Sequence, residues 1–199
     1  YSKLGCSHHS YSDFALLSQF EKSNFVYPGS ALEFDVLFKK IHKKNNINYF
    51  RITENTHNIN LNKNEISFGK GILLSKGKNL TVVCTAGTLQ ASQEAVEILK
   101  KKKIFIDLIY LHTLKPIDKN LILRSTKKTK KILVVEDFNY NGGLASNCLS
   151  ILKNKNVKFA NLSLNNFIHD YGSYKNLNFK SGLTVKNITK KINFLIKKK

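Results

Sequence analysis

From Thr81 to the C-terminus short apolar runs alternate with stretches whose apolar residues fall at helical spacing, without an internal sequence repeat. Thr81-Val82-Val83-Cys84-Thr85-Ala86 reads as a strand and Gly87 as a turn. Ala91, Ala95, Val96, Ile98 and Leu99 then mark one face of a helix. Ile104 to Tyr110 is the next strand, and Pro116-Ile117-Asp118 opens a short helix through Leu121 and Leu123. Ile132-Leu133-Val134-Val135 is a third strand, ending in Glu136-Asp137. Gly142-Gly143 precedes a helix with Leu144, Ala145, Cys148, Leu149 and Leu152. Val157 to Leu162 is a fourth strand, and Val185, Ile188, Ile192 and Ile196 lie on a closing helix. Runs that are apolar throughout suit strands covered on both faces, and parallel strands need a crossover between them. The pattern predicts a layered α/β fold with a mainly parallel sheet.

The first segment, to about Thr56, follows the same logic. Ser10 or Ser12 is placed to cap a helix carrying Phe14, Leu16 and Leu17, and Asn24-Phe25-Val26-Tyr27 reads as a strand stopped by Pro28-Gly29. Ser30 is the expected N-cap of a helix through Leu32, Phe34, Val36, Leu37, Phe38 and Ile41, and Asn48 to Ile52 is a second strand. From Glu54 to Asn64 the sequence turns polar and Asn-rich, which reads as a linker. Ile66 to Leu74, with Gly69 and Gly71, reads as a hairpin arm.

The formal net charge is +20, but its quality argues against specific base or phosphate recognition, which tends to use Arg forks: Arg stands only at Arg51 and Arg124. A Lys-, Asn- and Ile-rich composition is what an AT-rich coding sequence produces, and no nucleic-acid partner is expected. A basic nucleic-acid-binding or dimerisation module is the reading of another class. Cys6, Cys84 and Cys148 form neither a disulfide framework nor a metal spacing, which fits a reduced, cytoplasmic setting with Cys84 as a small core residue. The most apolar stretch, Ile104 to Leu111, is too short to span a bilayer and contains Asp107. The chain has no Met, even at position 1, so an N-terminal portion is expected to precede Tyr1. Lys197-Lys198-Lys199 reads as a solvated tail.

The densest polar constellation is Gly5-Cys6-Ser7-His8-His9-Ser10, with Asp13 close behind. Adjacent histidines in such a loop lack the spacing of a metal site, and no metal ligand is assigned. They could serve as one helix cap and one exposed imidazole. Alternatively, one of them sits on a strand-to-helix loop, ready to hydrogen-bond a substrate oxygen or move a proton near neutral pH.

Gly5, Ser7, His8, Ser10, Asp13, Ala15, Leu16 and Leu17, then Val26, Pro28, Gly29 and Glu33, resemble the later half of the pyrimidine-binding domain of transketolases. The same order resembles deoxyxylulose-phosphate synthases and the β subunits of 2-oxo-acid dehydrogenases. Tyr49-Phe50-Arg51-Ile52 falls where that family has a strand ending in Arg. Thr85-Ala86-Gly87-Thr88, Leu114-Lys115-Pro116-Ile117-Asp118, Val134-Val135-Glu136-Asp137 with Gly142-Gly143-Leu144, and Gly172 and Gly182-Leu183 resemble the transketolase C-terminal domain.

The resemblance implies three parts. Residues 1–56 would be the end of a pyrimidine-binding α/β domain, and 57–78 a linker and hairpin arm. Residues 79–199 would be a three-layer α/β/α transketolase C-terminal-like domain with a mostly parallel sheet. It implies a thiamine-diphosphate- and Mg²⁺-dependent transfer of a two-carbon or acyl unit from a keto donor. The cofactor would be held mostly by an N-terminal subunit or missing N-terminal half, in a homodimer or heterotetramer, so that this chain is inactive alone. His8 falls at the family position that hydrogen-bonds the donor substrate or the cofactor-bound intermediate, where it would stabilise developing oxygen charge. His9 stands where many members carry Gln or another polar residue. Arg51 matches a substrate-phosphate ligand, a natural task for a guanidinium fork; its alternative is an ion pair with Glu54 or Asp13. Asp13 reads as a helix-start or loop-bracing residue. Leu4 departs from the family: phosphoketose-using members carry a sugar-reading Asp before the motif glycine. No cofactor-binding residue is assigned.

Overall fold

The structure, a computed structural model, describes residues 2–54 and 56–197. Tyr1, Asn55 within the expected linker, and the last two residues of the expected Lys tail lie outside the described residues. The described residues form two sheets. The smaller has three strands in the order β2 (Ile47–Phe50), β1 (Ser23–Val26), β6 (Thr113–Lys115). The larger has five, in the order β3 (Ile72–Ser75), β5 (Ile106–Tyr110), β4 (Leu80–Cys84), β7 (Lys131–Asn139), β8 (Lys158–Leu164).

β1 and β2 pair in parallel, Ser23 opposite Ile47, joined by α2 (Ala31–Ile41) as a crossover. Ser30 caps that helix as expected, its Oγ accepting from the Glu33 N–H at 3.2 Å. Helix α1 (Asp13–Leu17) starts at the expected place, yet Ser12 makes no side-chain cap bond. Instead Asp13 Oδ1 accepts from the Phe14 N–H at 2.9 Å.

In the large sheet β5, β4, β7 and β8 run parallel, and only the edge strand β3 is antiparallel. β4 and β5 are buried along their full length. Both faces are covered: α3 (Ala86–Lys101) and α7 (Val185–Lys197) pack together on one side, α4 (Lys119–Thr129) and α5 (Leu144–Ile151) on the other. This is the expected three-layer α/β/α arrangement. The connection from β4 leads to β5, while β7 lies on the other flank of β4, so the strand order reverses between β4 and β7.

Several elements differ from the expectation. The segment 66–74 forms no hairpin: Ile72–Ser75 adds to the edge of the large sheet against β5, because its backbone partners come from Leu108 to Tyr110. Gly87 is not a turn but lies inside the first turn of α3. Helix α4 is longer than expected, running to Thr129 from a cap at Asp118, whose Oδ1 accepts from the Leu121 N–H at 3.1 Å. β6 and the short helix α6 (Tyr174–Lys180) carry no periodicity that announces them. β6 has a large structural effect: it leaves the second half of the chain to pair antiparallel with β1, completing the small sheet. The Tyr27 N–H extends that seam by donating to the His112 carbonyl at 2.8 Å.

Candidate functional site

The carboxyl ends of β2, β7 and β8 converge on a cleft of about 690 Å³. One wall is the N-terminal loop with His8, His9 and Ser10; another is the chain leaving β2 through Arg51, Thr53 and Glu54. Leu164 at the end of β8, Ile168 and helix α6, through Tyr174, Leu177 and Asn178, close the third side. The fold thus brings together the three residues singled out from the sequence, His8, His9 and Arg51, although the first two lie far from the third along the chain. Leu4, in the position of the family's sugar-reading Asp, is 58% exposed and does not line the cleft.

The floor is a buried charge network around Asp137. Tyr27 donates to Asp137 Oδ2 at 2.7 Å, Tyr174 to the same oxygen at 3.1 Å, and Thr85 to Oδ1 at 3.0 Å. Arg51 Nη2 lies 3.6 Å from Oδ2, and Arg51 Nη1 donates to Asp13 Oδ1 at 3.1 Å. Tyr49 completes the Asp13 side by donating to Oδ2 at 3.0 Å. The guanidinium also stacks 4.2 Å from the Phe138 ring centre and 5.0 Å from that of Tyr27. Burial works against the Arg51 charge, but Asp137, Tyr27 and Asp13 outweigh it and hold its pKa above the ordinary value. Burial pushes the Asp13 carboxyl up, against the pull of Arg51 and Tyr49. Burial beside Asp13 raises the Tyr49 phenol to about 12. Of the two sequence readings of Arg51, the ion pair with Asp13 is present, with Asp137 as a second carboxylate; Arg51 also lines the cleft.

Gly87 is what makes this floor possible. A Cβ there would sit 2.3 Å from the Tyr174 hydroxyl, 2.4 Å from Asp137 Oδ2 and 2.5 Å from the Tyr27 hydroxyl. The first turn of α3 carries no acidic residue of its own. Asp137 brings a carboxylate against it from the end of β7, favourable near the positive end of a helix dipole. Its neighbour Glu136 does the same for α5, accepting from the Leu144 and Ala145 N–H groups and from Ser163. Burial pushes the Glu136 carboxyl up to about 8 against these three donors.

A second buried cluster joins the start of α2 to the end of β5 and to the stretch at His57. Glu33 accepts from the Gly29 N–H at 2.9 Å and from Tyr110 at 2.5 Å, and His57 Nε2 stands 2.6 Å from its Oε1. His57 Nδ1 accepts from the Ile59 N–H at 3.2 Å, so the ring proton faces Glu33. Burial opposes the Glu33 charge, yet His57, the Gly29 N–H and Tyr110 bring its pKa below the usual carboxylate value. His57 falls in the Asn-rich stretch that reads as a linker; buried beside Glu33, it pins that stretch down.

The two histidines of the loop differ. His8 is exposed on the wall of the cleft, its Nδ1 3.0 Å from Ser7 Oγ. His9 is half-buried, and its Nδ1 lies 3.1 Å from the Ile168 carbonyl, which can only accept. The His9 proton is therefore on Nδ1, leaving Nε2 as an acceptor, buried and without a hydrogen-bond partner among the described residues.

Comparison with known proteins decides the family. The family model "Transketolase, C-terminal domain" matches residues 69–188. The chain belongs to the transketolase C-terminal domain family. Human transketolase is 33% identical over 144 residues, which are 70% of this chain and 23% of that protein. The 6-deoxy-6-sulfo-D-fructose transketolase subunit SqwH of a Clostridium species is 26% identical over 188 residues, 94% of this chain and 58% of that subunit. A solved split-gene transketolase, described as an inactive beta4 tetramer, superposes with a TM-score of 0.89 at 22% identity, covering 96% of this chain and 64% of that one. The chain thus spans about a quarter of human transketolase and just over half of the Clostridium subunit. Asp137, Tyr174, Tyr27 and the Glu33–His57 pair were missed as a site from sequence. Glu33 and Asp137 stand inside quoted motifs, but Tyr174 and His57 carry no local signal.

Proposed function

We propose that the chain is the C-terminal part of a transketolase-like enzyme that moves a two-carbon or acyl unit from a sugar-derived keto donor, and that it works only when joined to an N-terminal partner. The observation that carries this reading is the convergence of the His8–His9 loop and the Arg51 strand end on one cleft. Relatives named as subunits, and the likeness to a split-gene transketolase, support assembly with a partner subunit. A cytoplasmic setting fits three free thiols, and no helix among the described residues is long and apolar enough to cross a membrane.

Thiamine diphosphate, when bound, supplies the carbon nucleophile that makes cleavage beside a carbonyl feasible. Among the described residues no three His, Cys, Asp or Glu side chains are placed to hold a metal ion. On the resemblance to transketolases, the Mg²⁺ and diphosphate ligands would belong to the partner, and the substrate end of the site to this chain. There His8, on the open wall, is placed to donate to an oxygen of the donor where negative charge develops. His9 Nε2 is an acceptor for a substrate hydroxyl. Arg51 contributes a fixed positive charge at the cleft floor, shared between two carboxylates, and steadies whatever anionic or carbonyl group lies above it.

The test is reconstitution with a subunit carrying the upstream region and a coupled assay of two-carbon transfer from a ketose donor. His8→Ala is expected to lower kcat about 100-fold while leaving the urea midpoint of the chain unchanged, since His8 is exposed. Full activity of His8→Ala would overturn the assignment, as would calorimetric binding of thiamine diphosphate to this chain by itself.

A further inference from the structure

The fold gathers lysines that look scattered in the sequence. The parallel strands start in register: Leu80 pairs with Ile106, Thr81 with Ile132, and Lys131 with Lys158. The four segments that enter them, 76–79, 100–105, 127–131 and 153–158, therefore lie side by side at the amino edge of the sheet, opposite the cleft. These segments hold thirteen lysines and no Asp or Glu. Eleven of the lysines are exposed: 76, 78, 100–103, 127, 128, 130, 153 and 155.

The segments are tied into one surface. The Lys78 and Asn79 N–H groups donate to the Phe105 carbonyl at 3.2 and 3.0 Å, and the Lys158 N–H to the Lys130 carbonyl at 2.9 Å. Glu97 stands one turn before Lys101 on α3, and Asp107 lies just inside the edge. Asp107 is buried and already engaged by Ser125 at 2.6 Å, the Gly77 N–H at 2.7 Å and Lys128 at 2.8 Å.

Lysines near helix ends have an ordinary explanation, because they offset the negative end of the helix dipole. That explanation is too small here. Helices α3, α4, α5 and α7 end on this edge, where the Ile196 carbonyl of α7 accepts from Lys131 at 3.0 Å, and each dipole is worth roughly half an elementary charge. Together with Glu97 and Asp107 they balance a minority of the lysines. Lys103 and Lys130 also occupy left-handed backbone positions, φ 61° and 57°, where glycine is the least costly residue.

We propose that this edge binds the phosphate backbone of duplex nucleic acid without reading its sequence. Four strands spaced about 4.8 Å apart make a strip about 15 Å wide, matched to a short stretch of one duplex face. Lysine heads on flexible stems lack the fork that reads base edges, but they neutralise a regular lattice of phosphates. A lipid surface fits less well, since Phe105, 42% exposed, is the one exposed large apolar side chain in these segments. The inference is independent of the reading of the cleft.

The test is fluorescence anisotropy of the chain with a labelled duplex of about 20 base pairs and arbitrary sequence, at salt from about 50 to 200 mM. Neutralising four to five phosphates predicts a slope of log K against log salt of about −4. Replacing Lys101, Lys103, Lys127, Lys130, Lys153 and Lys155 by Gln should weaken binding at least about tenfold and flatten the slope by about 2. Replacing Lys22, Lys39, Lys40, Lys43, Lys63 and Lys70 by Gln removes the same charge elsewhere and should change affinity by less than about threefold. Equal losses in the two variants would overturn the proposal, because net charge alone would then explain binding. So would no binding at the lowest salt, or tighter binding to phosphatidylserine vesicles or polyglutamate than to the duplex.

Discussion

Replacing Gly87 by alanine should break the joint between the two sheets. Gly87 has no left-handed backbone to protect, and inside a helix alanine is favoured over glycine by about 1 kcal/mol. On propensity alone the change should stabilise. Sterics decide otherwise, because the new methyl would meet the Tyr174 hydroxyl, Asp137 Oδ2 and the Tyr27 hydroxyl, all within 2.5 Å. None of the three can step back freely: both tyrosines donate to that carboxylate oxygen, and Tyr174 lies 3.1 Å from the Gly87 carbonyl as well. Giving way costs about two hydrogen bonds to a buried charge, at about 1.5–3 kcal/mol each. Against the helix gain, the net loss is about 2–5 kcal/mol. With a urea m-value of about 2–3 kcal/mol/M, the unfolding midpoint should fall by about 1–2 M. Adding Tyr174→Phe removes one obstacle and should recover part of the loss. A midpoint at or above that of the unmodified chain would refute the steric argument.

Arg51→Met should cost about 3–5 kcal/mol in the same assay, because it leaves Asp13 and Asp137 buried without their cation. Arg51→Lys, which keeps the charge but loses the fork, should recover less than half of that. The pH dependence follows from Glu33, whose folded pKa lies below its ordinary value of 4.5. A depressed carboxylate contributes stability that is present above the unfolded pKa and lost as pH falls through the folded one. The urea midpoint should therefore drop as pH falls below about 4.5, and Glu33→Gln should blunt that drop while lowering the midpoint at neutral pH. Burial pushes the Cys84 thiol up to about 12 and raises that of Cys148 as well. A thiol reagent should therefore modify the half-buried Cys6 in the folded chain and all three cysteines in urea.

The layered core was legible because β4, β5 and β7 are buried along most of their length and so are largely apolar, interrupted only by Thr81, by Asp107 and, in β7, by its end residues and Glu136-Asp137. Ser30 and Asp118 announced their helices because a cap acts within three residues. The site was legible only in pieces. His8, His9 and Arg51 could be named from ordered motifs, but the bonds that organise the floor join Asp137 to Tyr27, Thr85 and Tyr174, residues that no periodicity links. β6 was missed because three residues cannot show a period, and its partner β1 lies about ninety residues away in the sequence. His57 was read as part of a linker because nothing local distinguishes a buried histidine in an Asn-rich stretch; its partner Glu33 lies in another element.

Open α/β sheets leave a crevice at their carboxyl edge wherever the strand order reverses, and that is where they ordinarily hold a ligand. In this chain the reversal falls between β4 and β7, and the crevice already has a tenant: the Asp137 carboxylate, lodged over the start of α3 and gripped by two phenols and a hydroxyl. The protein supplies internally the anion that such a seat would otherwise take from solution. A docking place has become a hinge pin, fastening the small sheet to the large one through Tyr27 and Arg51. The room that remains for a ligand is the cleft above that carboxylate, which the His8 loop overlooks.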